Sequence, residues 1–206
     1  MKRILLLDTS VGSLNMGDEI IGRSIEMNWR ELFSSNYVMR LAAHSPMYTP
    51  VQYLLYKRKL SIFKGAEIKF LCGTNALYTN MLRPLPTWNI NYLNCGMVAG
   101  TVCLGVGAGV NSSSVNLYTR ALYRKVLSHE VVHSVRDERT KQLLEQVGLR
   151  AWNTGCPTLW GLTPDHCEAI ARTKGDEVVF TLTSYHPDPR KDRAMIDVLR
   201  RHYFRL

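Results

Sequence analysis

His133-Ser134-Val135-Arg136-Asp137-Glu138-Arg139-Thr140 decides the fold. Val131 to Val135 reads as a short buried strand running straight into a helix, with Asp137 at the position that caps it. Arg136 then stands at the strand's carboxyl end. In an open α/β sheet that edge is where ligands bind. A guanidinium fork beside a helix N-terminus suits a phosphate or a carboxylate. The plain alternative is a surface ion pair of Arg136 with Asp137, Glu138 or Glu130. The residue types leave both readings open.

Outward from this stretch, strand and helix alternate over residues 1–154. Ile4 to Leu7 is a continuous apolar run, as a strand buried on both faces requires. A loop from Asp8 to Glu19 follows, and the spacing of Ile21, Ile25, Trp29 and Leu32 predicts a helix to about Phe33. Tyr37 to Ala43 is the second strand, ended by His44-Ser45-Pro46. Thr49-Pro50 opens a helix through Lys59 with Val51, Leu54 and Leu55 inward. Its Lys57-Arg58-Lys59 reads as a basic helix end. Ile68 to Cys72 is the third strand, with Gly73 to Leu77 as a small, polar loop at its carboxyl end. A short helix is expected from Asn89 to Val98. Thr101 to Val106 is a fourth strand, passing into Gly105, Gly107 and Gly109. Ser112 to Ser114 lead into a helix bearing Val115, Tyr118, Leu122 and Val126. Beyond the opening stretch, Leu143, Leu144 and Val147 pack and Gly148 stops the helix. Arg150 to Asn153 is a sixth strand, followed by an irregular loop with Trp160. The fold class is therefore α/β: a Rossmann-like parallel sheet covered by helices on both faces.

Toward the end of the chain, Leu162 to Arg172 reads as a short helix and Thr173-Lys174-Gly175-Asp176 as a polar break. Glu177 to Thr183 then reads as a strand, Ser184 to Pro189 as a loop and Arg190 to Tyr203 as a helix. One strand and one helix cannot bury both faces of the strand. The expectation is a first domain over 1–173 and an incomplete second over 174–206.

The 206 residues carry a net charge of +9, with 46% apolar and 21% charged residues. A basic globular chain favours acidic partners. Its basic residues are dispersed, so nucleic acid is not the expected partner. The five cysteines include no CxxC pair, which argues for a reducing compartment with neither disulfides nor zinc. Four apolar residues before Asp8 are too few for a signal segment or membrane span. There is no Walker loop, GxGxxG, HExxH or GxSxG. His129, His133 and His186 read as structural or surface histidines. Candidate ligand contacts are the loop residues at strand ends: Asn15, Gly17 and Asp18, then Gly73 and Asn75, then Gly107, with Arg136. For Asn15, Gly17 and Asp18, turn-and-cap chemistry is an equal alternative. No catalytic residue and no metal ligand is assigned.

In order, Asn15-Met16-Gly17-Asp18-Glu19-Ile20-Ile21, Gly105-Val106-Gly107, Ser134-Val135-Arg136-Asp137 with Thr140, Leu143 to Gly148, Gly155-Cys156-Pro157-Thr158 and Phe180-Thr181-Leu182-Thr183 resemble the polysaccharide pyruvyl transferase family. The resemblance implies a GT-B-like N-terminal half and the first strand and helix of a second Rossmann-like domain, truncated here. It implies transfer of a pyruvyl group from phosphoenolpyruvate to a sugar of a cell-surface or extracellular polysaccharide, with no cofactor besides that donor. Arg136 matches an arginine that binds the donor anion, and Asn15, Gly17 and Asp18 match the first loop of the cleft. The family's second domain carries an Arg-x-His motif, which this sequence is read as lacking, because neither late histidine, His186 or His202, is taken to follow an arginine by two. The implied partners are phosphoenolpyruvate and a glycan or lipid-linked sugar, in the cytoplasm or at the inner face of the membrane. Peripheral membrane association and a homo-oligomer are compatible with it. The alternatives are a GT-B-like glycosyltransferase using a nucleotide sugar and a non-catalytic carbohydrate-binding half-module.

Overall fold

The computed structural model describes all residues except 47, 49, 85, 110–113, 174, 183–186 and 204–206, and all side chains but those and residues 50, 53, 54 and 57–59. It divides into two compact units, Met1–Leu162 and Thr163–Leu206.

The first unit is built on β1 (Arg3–Asp8), α1 (Met16–Asn28), α2 (Arg30–Ser34), β2 (Tyr37–Ala42), α3 (Pro50–Lys64), β3 (Ile68–Cys72) and β4 (Asn75–Leu77). These are followed by β5 (Val102–Leu104), β6 (Gly107–Ala108), α4 (Leu117–Val126), β7 (His133–Val135), α5 (Glu138–Gln146) and β8 (Ala151–Asn153). The sheet runs β2-β1-β3-β5. A parallel bridge from Val106 to Val135 carries it on to the parallel pair β7-β8. Every strand pairing among the described residues is parallel, so all carboxyl ends share one edge.

Side chains alternate across the strands, and β1 feeds two cores. Leu5 and Leu7 join Leu71, Leu122, Tyr123, Leu143 and Leu144 on one face. Ile4 and Leu6 join Ile21, Ile25, Phe70 and Leu104 on the other. Right-handed crossovers explain the split. The chain moves from β1 to β2 in one direction and from β2 back to β3 in the other, so the connecting helices fall on opposite faces. The reversal between β1 and β3 is the switch point of a doubly wound sheet, which confirms the expected α/β class with both faces covered.

Several local expectations are corrected. The first helix breaks at Trp29, whose φ of −113° and ψ of 20° leave the helical region. Trp29 and Leu32 nevertheless pack on the same core as Ile21 and Ile25. Helix α3 kinks at Tyr56. Val51 and Leu55 are 65% and 67% exposed, and Leu60 and Phe63 face the core instead. The side chain of Leu54 lies outside the described residues, as do those of Lys57, Arg58 and Lys59. Gly73 to Leu77 holds a strand, β4, where a loop is expected. No α-helix forms over 89–98, only a 3-10 turn at Cys95–Met97. Asn91 Oδ1 accepts from the amides of Leu93 and Asn94, and Asn94 Oδ1 accepts from that of Asn91. Such local bonds compete with a helix. Ser112 and Ser113 lie outside the described residues.

The second unit contains α6 (Pro164–Ala169), capped by Thr163, and α7 (Pro189–His202), capped by Asp188. The expected strand over 177–183 does not form in its described part: Glu177 makes a single bridge, and 178–182 are irregular. Val179 is 94% exposed. A strand without a paired neighbour leaves its amides and carbonyls unmet. Thr183 and His186 lie outside the described residues.

Candidate functional site

The carboxyl edge of the sheet is shaped by two glycines and a strained threonine. Gly73 and Thr74 follow β3 with φ of 58° and 50°. A Cβ at Gly73 would strike the Ile21 side chain, so glycine here lets α1 close onto the sheet. Thr74 carries the left-handed conformation at a cost of order 1 kcal/mol. Its carbonyl accepts from the Gly107 amide at 2.7 Å. That bond brings β4 and β6 together in parallel, with Asn75 opposite Gly107.

Arg136 crosses this junction. It leaves the carboxyl end of β7, its amide donates to the Val106 carbonyl at 3.0 Å, and its guanidinium donates to Asn75 Oδ1. A Cβ on Gly107 would collide with that guanidinium and with the Asn75 amide. Glycine is thus what gives the arginine its path. Asp137 stands beside it, with Oδ2 3.7 Å from Arg136 Nε. The other carboxylate oxygen, Oδ1, caps α5: it accepts from the Thr140 amide at 2.8 Å and from the Thr140 hydroxyl at 2.7 Å. The same hydroxyl accepts from the Ala108 amide at 2.8 Å. The arginine side chain is 28% exposed, and a fork with five N–H donors has capacity beyond these two contacts.

A cleft of about 380 Å³ opens at the ends of β1 and β2. Thr9, Gly12, Ser13, Asp18, His44, Pro86 and Thr87 line it. Asp18 Oδ2 accepts from the Ser13 hydroxyl at 2.8 Å. Its other oxygen, Oδ1, is buried without a hydrogen-bond partner among the described residues. Thr87 Oγ1 lies 2.7 Å from the Tyr78 hydroxyl.

Beneath the edge, Asp8 is buried, and its Oδ1 accepts from the Ser10 amide and hydroxyl at 2.8 and 2.7 Å. Its Oδ2 lies 3.1 Å from Arg40, which also meets Glu26. Cys72 ends β3 nearby, but burial, reinforced by the charge of Asp8, pushes its thiol far above the usual range. A neutral buried thiol is no nucleophile.

Of the expected site residues, the structure brings Arg136, Asn75 and Gly107 into one cluster. Gly73 sits beside them through its backbone. Asn15 caps α1, with Oδ1 accepting from the Gly17 amide at 3.0 Å, so the turn-and-cap reading accounts for both residues. Asp18 lines the cleft. The sequence reading misses Thr9, Ser13, His44 and Thr87 as neighbours of Asp18. The signal was there for His44, the first polar side chain after the second strand. The expected absence of an Arg-x-His motif is corrected, because Arg200-Arg201-His202 does have that spacing. It forms the last turn of α7, where basic residues also complement the helix dipole.

Among the described residues, no group of three or more His, Cys, Asp or Glu could hold a metal ion. None of the described helices is long and apolar enough to cross a membrane. The fold and its edge define a doubly wound α/β protein with Arg136, Asn75 and Gly107 clustered at one side of the sheet's carboxyl edge and an acid-bearing cleft at the other. The chain belongs to the polysaccharide pyruvyl transferase family, whose model matches residues 15–205. No curated protein and no solved structure matches it.

Proposed function

We propose that the protein transfers a pyruvyl group from phosphoenolpyruvate to a sugar of a cell-surface polysaccharide, forming a cyclic ketal. The observation that carries this reading is Arg136, held across the sheet edge by Asn75 and Gly107 beside the N-terminus of α5. The donor bears a carboxylate and a phosphate. A planar fork can grip either in a bidentate way, and a helix N-terminus adds amides and a favourable dipole. In the reaction the enol carbon bonds to two sugar oxygens and phosphate departs. The methylene gains a proton to become a methyl group, and the remaining hydroxyl proton leaves with phosphate or solvent. A general acid and base must handle those protons. The acceptor is a glycan or a lipid-linked sugar, and we place the reaction on the cytoplasmic side, where the donor is made.

The test is phosphate release on mixing the protein with phosphoenolpyruvate and polysaccharide fragments, with mass spectrometry of the glycan. The expected product is heavier by one ketal-linked pyruvate. Arg136→Ala should abolish donor binding in calorimetry. Unaltered donor binding in that variant would remove Arg136 from the site. Thermal protection by a nucleotide sugar, with none by phosphoenolpyruvate, would replace the reaction altogether.

A further inference from the structure

We propose that α3 is a membrane-binding element that lies in the surface of an anionic phospholipid bilayer, with its outward apolar side chains among the lipids. Its fifteen residues include Lys57, Arg58, Lys59 and Lys64 and no acidic residue. A helix C-terminus attracts cations only within its last turn, and α3 runs on to Lys64. The expected reading of Lys57-Arg58-Lys59 as a basic helix end is thus corrected, because the run lies more than a turn inside the helix. The core takes one face of α3, through Leu60 and Phe63. Val51 and Leu55, about one turn apart, are exposed, and so are Tyr56 and Ile62. Single exposed apolar side chains are ordinary, but a set of them on one element marks a contact surface. Leu93 extends the set beyond the helix. Its side chain is 75% exposed, and its carbonyl accepts from the hydroxyl of Tyr48, just before α3, at 3.2 Å. Next to it in the chain, Tyr92 is exposed, with the Lys125 ammonium 4.7 Å from its ring centroid. Apolar side chains, tyrosines and dense positive charge together are what a helix lying in the lipid headgroup region presents. The cations meet anionic headgroups, and the apolar groups leave water for the acyl boundary. At fifteen residues α3 is too short to cross the hydrocarbon core, so it lies in the surface. A second copy of the chain is the weaker occupant, because two copies joined here would set like charges against like. The inference does not rest on the proposed pyruvyl transfer, though a lipid-linked acceptor would reach a protein held this way without leaving the membrane.

The experiment is flotation of the full chain with vesicles of phosphatidylcholine alone, and with vesicles of phosphatidylcholine and phosphatidylglycerol in equal parts. The wild-type chain should float with the anionic vesicles at low salt and stay behind with the neutral ones. Added salt should weaken the association by screening the charges. Val51→Glu combined with Leu55→Glu should lower vesicle affinity at least about tenfold. Both side chains are exposed, so circular dichroism and Tm should stay as in the wild type. Lys57→Gln, Arg58→Gln and Lys59→Gln together should lower vesicle affinity by about two orders of magnitude, on the order of fivefold for each cation. Calorimetry with phosphoenolpyruvate should give the same affinity for both variants and the wild type. Vesicle binding without any phosphoenolpyruvate binding would support the inference while removing the proposed donor. No flotation with anionic vesicles would overturn the inference. Undiminished flotation of the Val51→Glu, Leu55→Glu variant would overturn it too, since charge attraction alone would then hold the chain. So would self-association in sedimentation that this variant abolishes while no vesicle is bound, which would give the face to a second copy.

Discussion

Arg136 and Gly107 are one device, because the arginine can reach Asn75 only where position 107 lacks a side chain. Gly107→Ala should therefore reproduce the loss of donor binding expected of Arg136→Ala, although residue 107 offers no side chain to any ligand. Circular dichroism should show the fold retained, and calorimetry should show affinity for phosphoenolpyruvate down at least about tenfold. Full affinity in Gly107→Ala would mean that the guanidinium does not work from its place beside Asn75. Arg136→Lys separates charge from shape. An ammonium keeps the charge but has no planar fork, so affinity should fall nearly as far as with alanine. This cluster was legible in the sequence, since each member follows a strand of a parallel sheet and such positions line the ligand edge. Its partners were not, because pairing of Asn75 with Gly107 depends on the left-handed turn at Gly73-Thr74. The cleft residues Thr9, His44 and Thr87 were not legible for a similar reason. They come from segments more than thirty residues apart and meet only once the switch point is formed.

At the scale of elements, the join between β5 and β7 explains why a histidine is buried in the core. The one bridge beside β7 falls at Val106, just past β5, where it meets Val135, so among the described residues the β5 backbone has no ladder partner on that side. Side chains from β7 supply it. His133 Nδ1 accepts from the Cys103 amide at 3.1 Å, and Ser134 Oγ accepts from the Gly105 amide at 2.9 Å. The other ring nitrogen, Nε2, lies 2.9 Å from the Ser128 carbonyl and must donate to it. The ring is thus neutral, and burial lowers its pKa. A lowered folded value means that the unfolded chain takes up a proton that the native chain refuses. The stabilising contribution is full above about pH 6.5, the ordinary histidine value, and is lost as pH falls below it. His133→Gln should flatten the stability profile below about pH 6.5, read from urea midpoints. His133→Phe should cost about 1–3 kcal/mol above about pH 6.5 by stranding the Cys103 amide, and less as pH falls below that. An unchanged slope in His133→Gln would assign the acid sensitivity elsewhere. The sequence identified His133 as structural but not why, since a strand pattern does not reveal which amides go unpaired. The same limit explains the missing helix over 89–98, where asparagine side chains outcompete the backbone ladder.

For the whole molecule, burial is confined to one part of the chain. Among the described residues, those in the core span Ile4 to Pro157, and none after Thr163 is buried. Both core clusters and their packed neighbours end by Trp160. Hydrophobic burial supplies the main drive to fold, so Met1–Leu162 holds what it needs for cooperative unfolding. Helix α7 is capped at both ends and amphipathic, yet an isolated helix of its length is marginal in water. The expected strand over 177–183 shows the same deficit, because a run of apolar and β-branched residues makes a strand only when another strand is present to accept its bonds. That is why the sequence pattern was read correctly for the first sheet and failed here. A chain ending at Leu162 should accordingly melt in one transition, with a Tm within about 5 °C of the full chain. Its affinity for phosphoenolpyruvate should change little if Arg136, Asn75 and Gly107 suffice for the anion, whereas turnover should vanish if residues after 162 bring the acid–base groups. A broad, non-cooperative melt of the shortened chain would show that Thr163–Leu206 supports the first unit after all. Loss of donor affinity with the melt intact would move part of the anion site into those residues, where Arg200-Arg201-His202 would be the first side chains to replace.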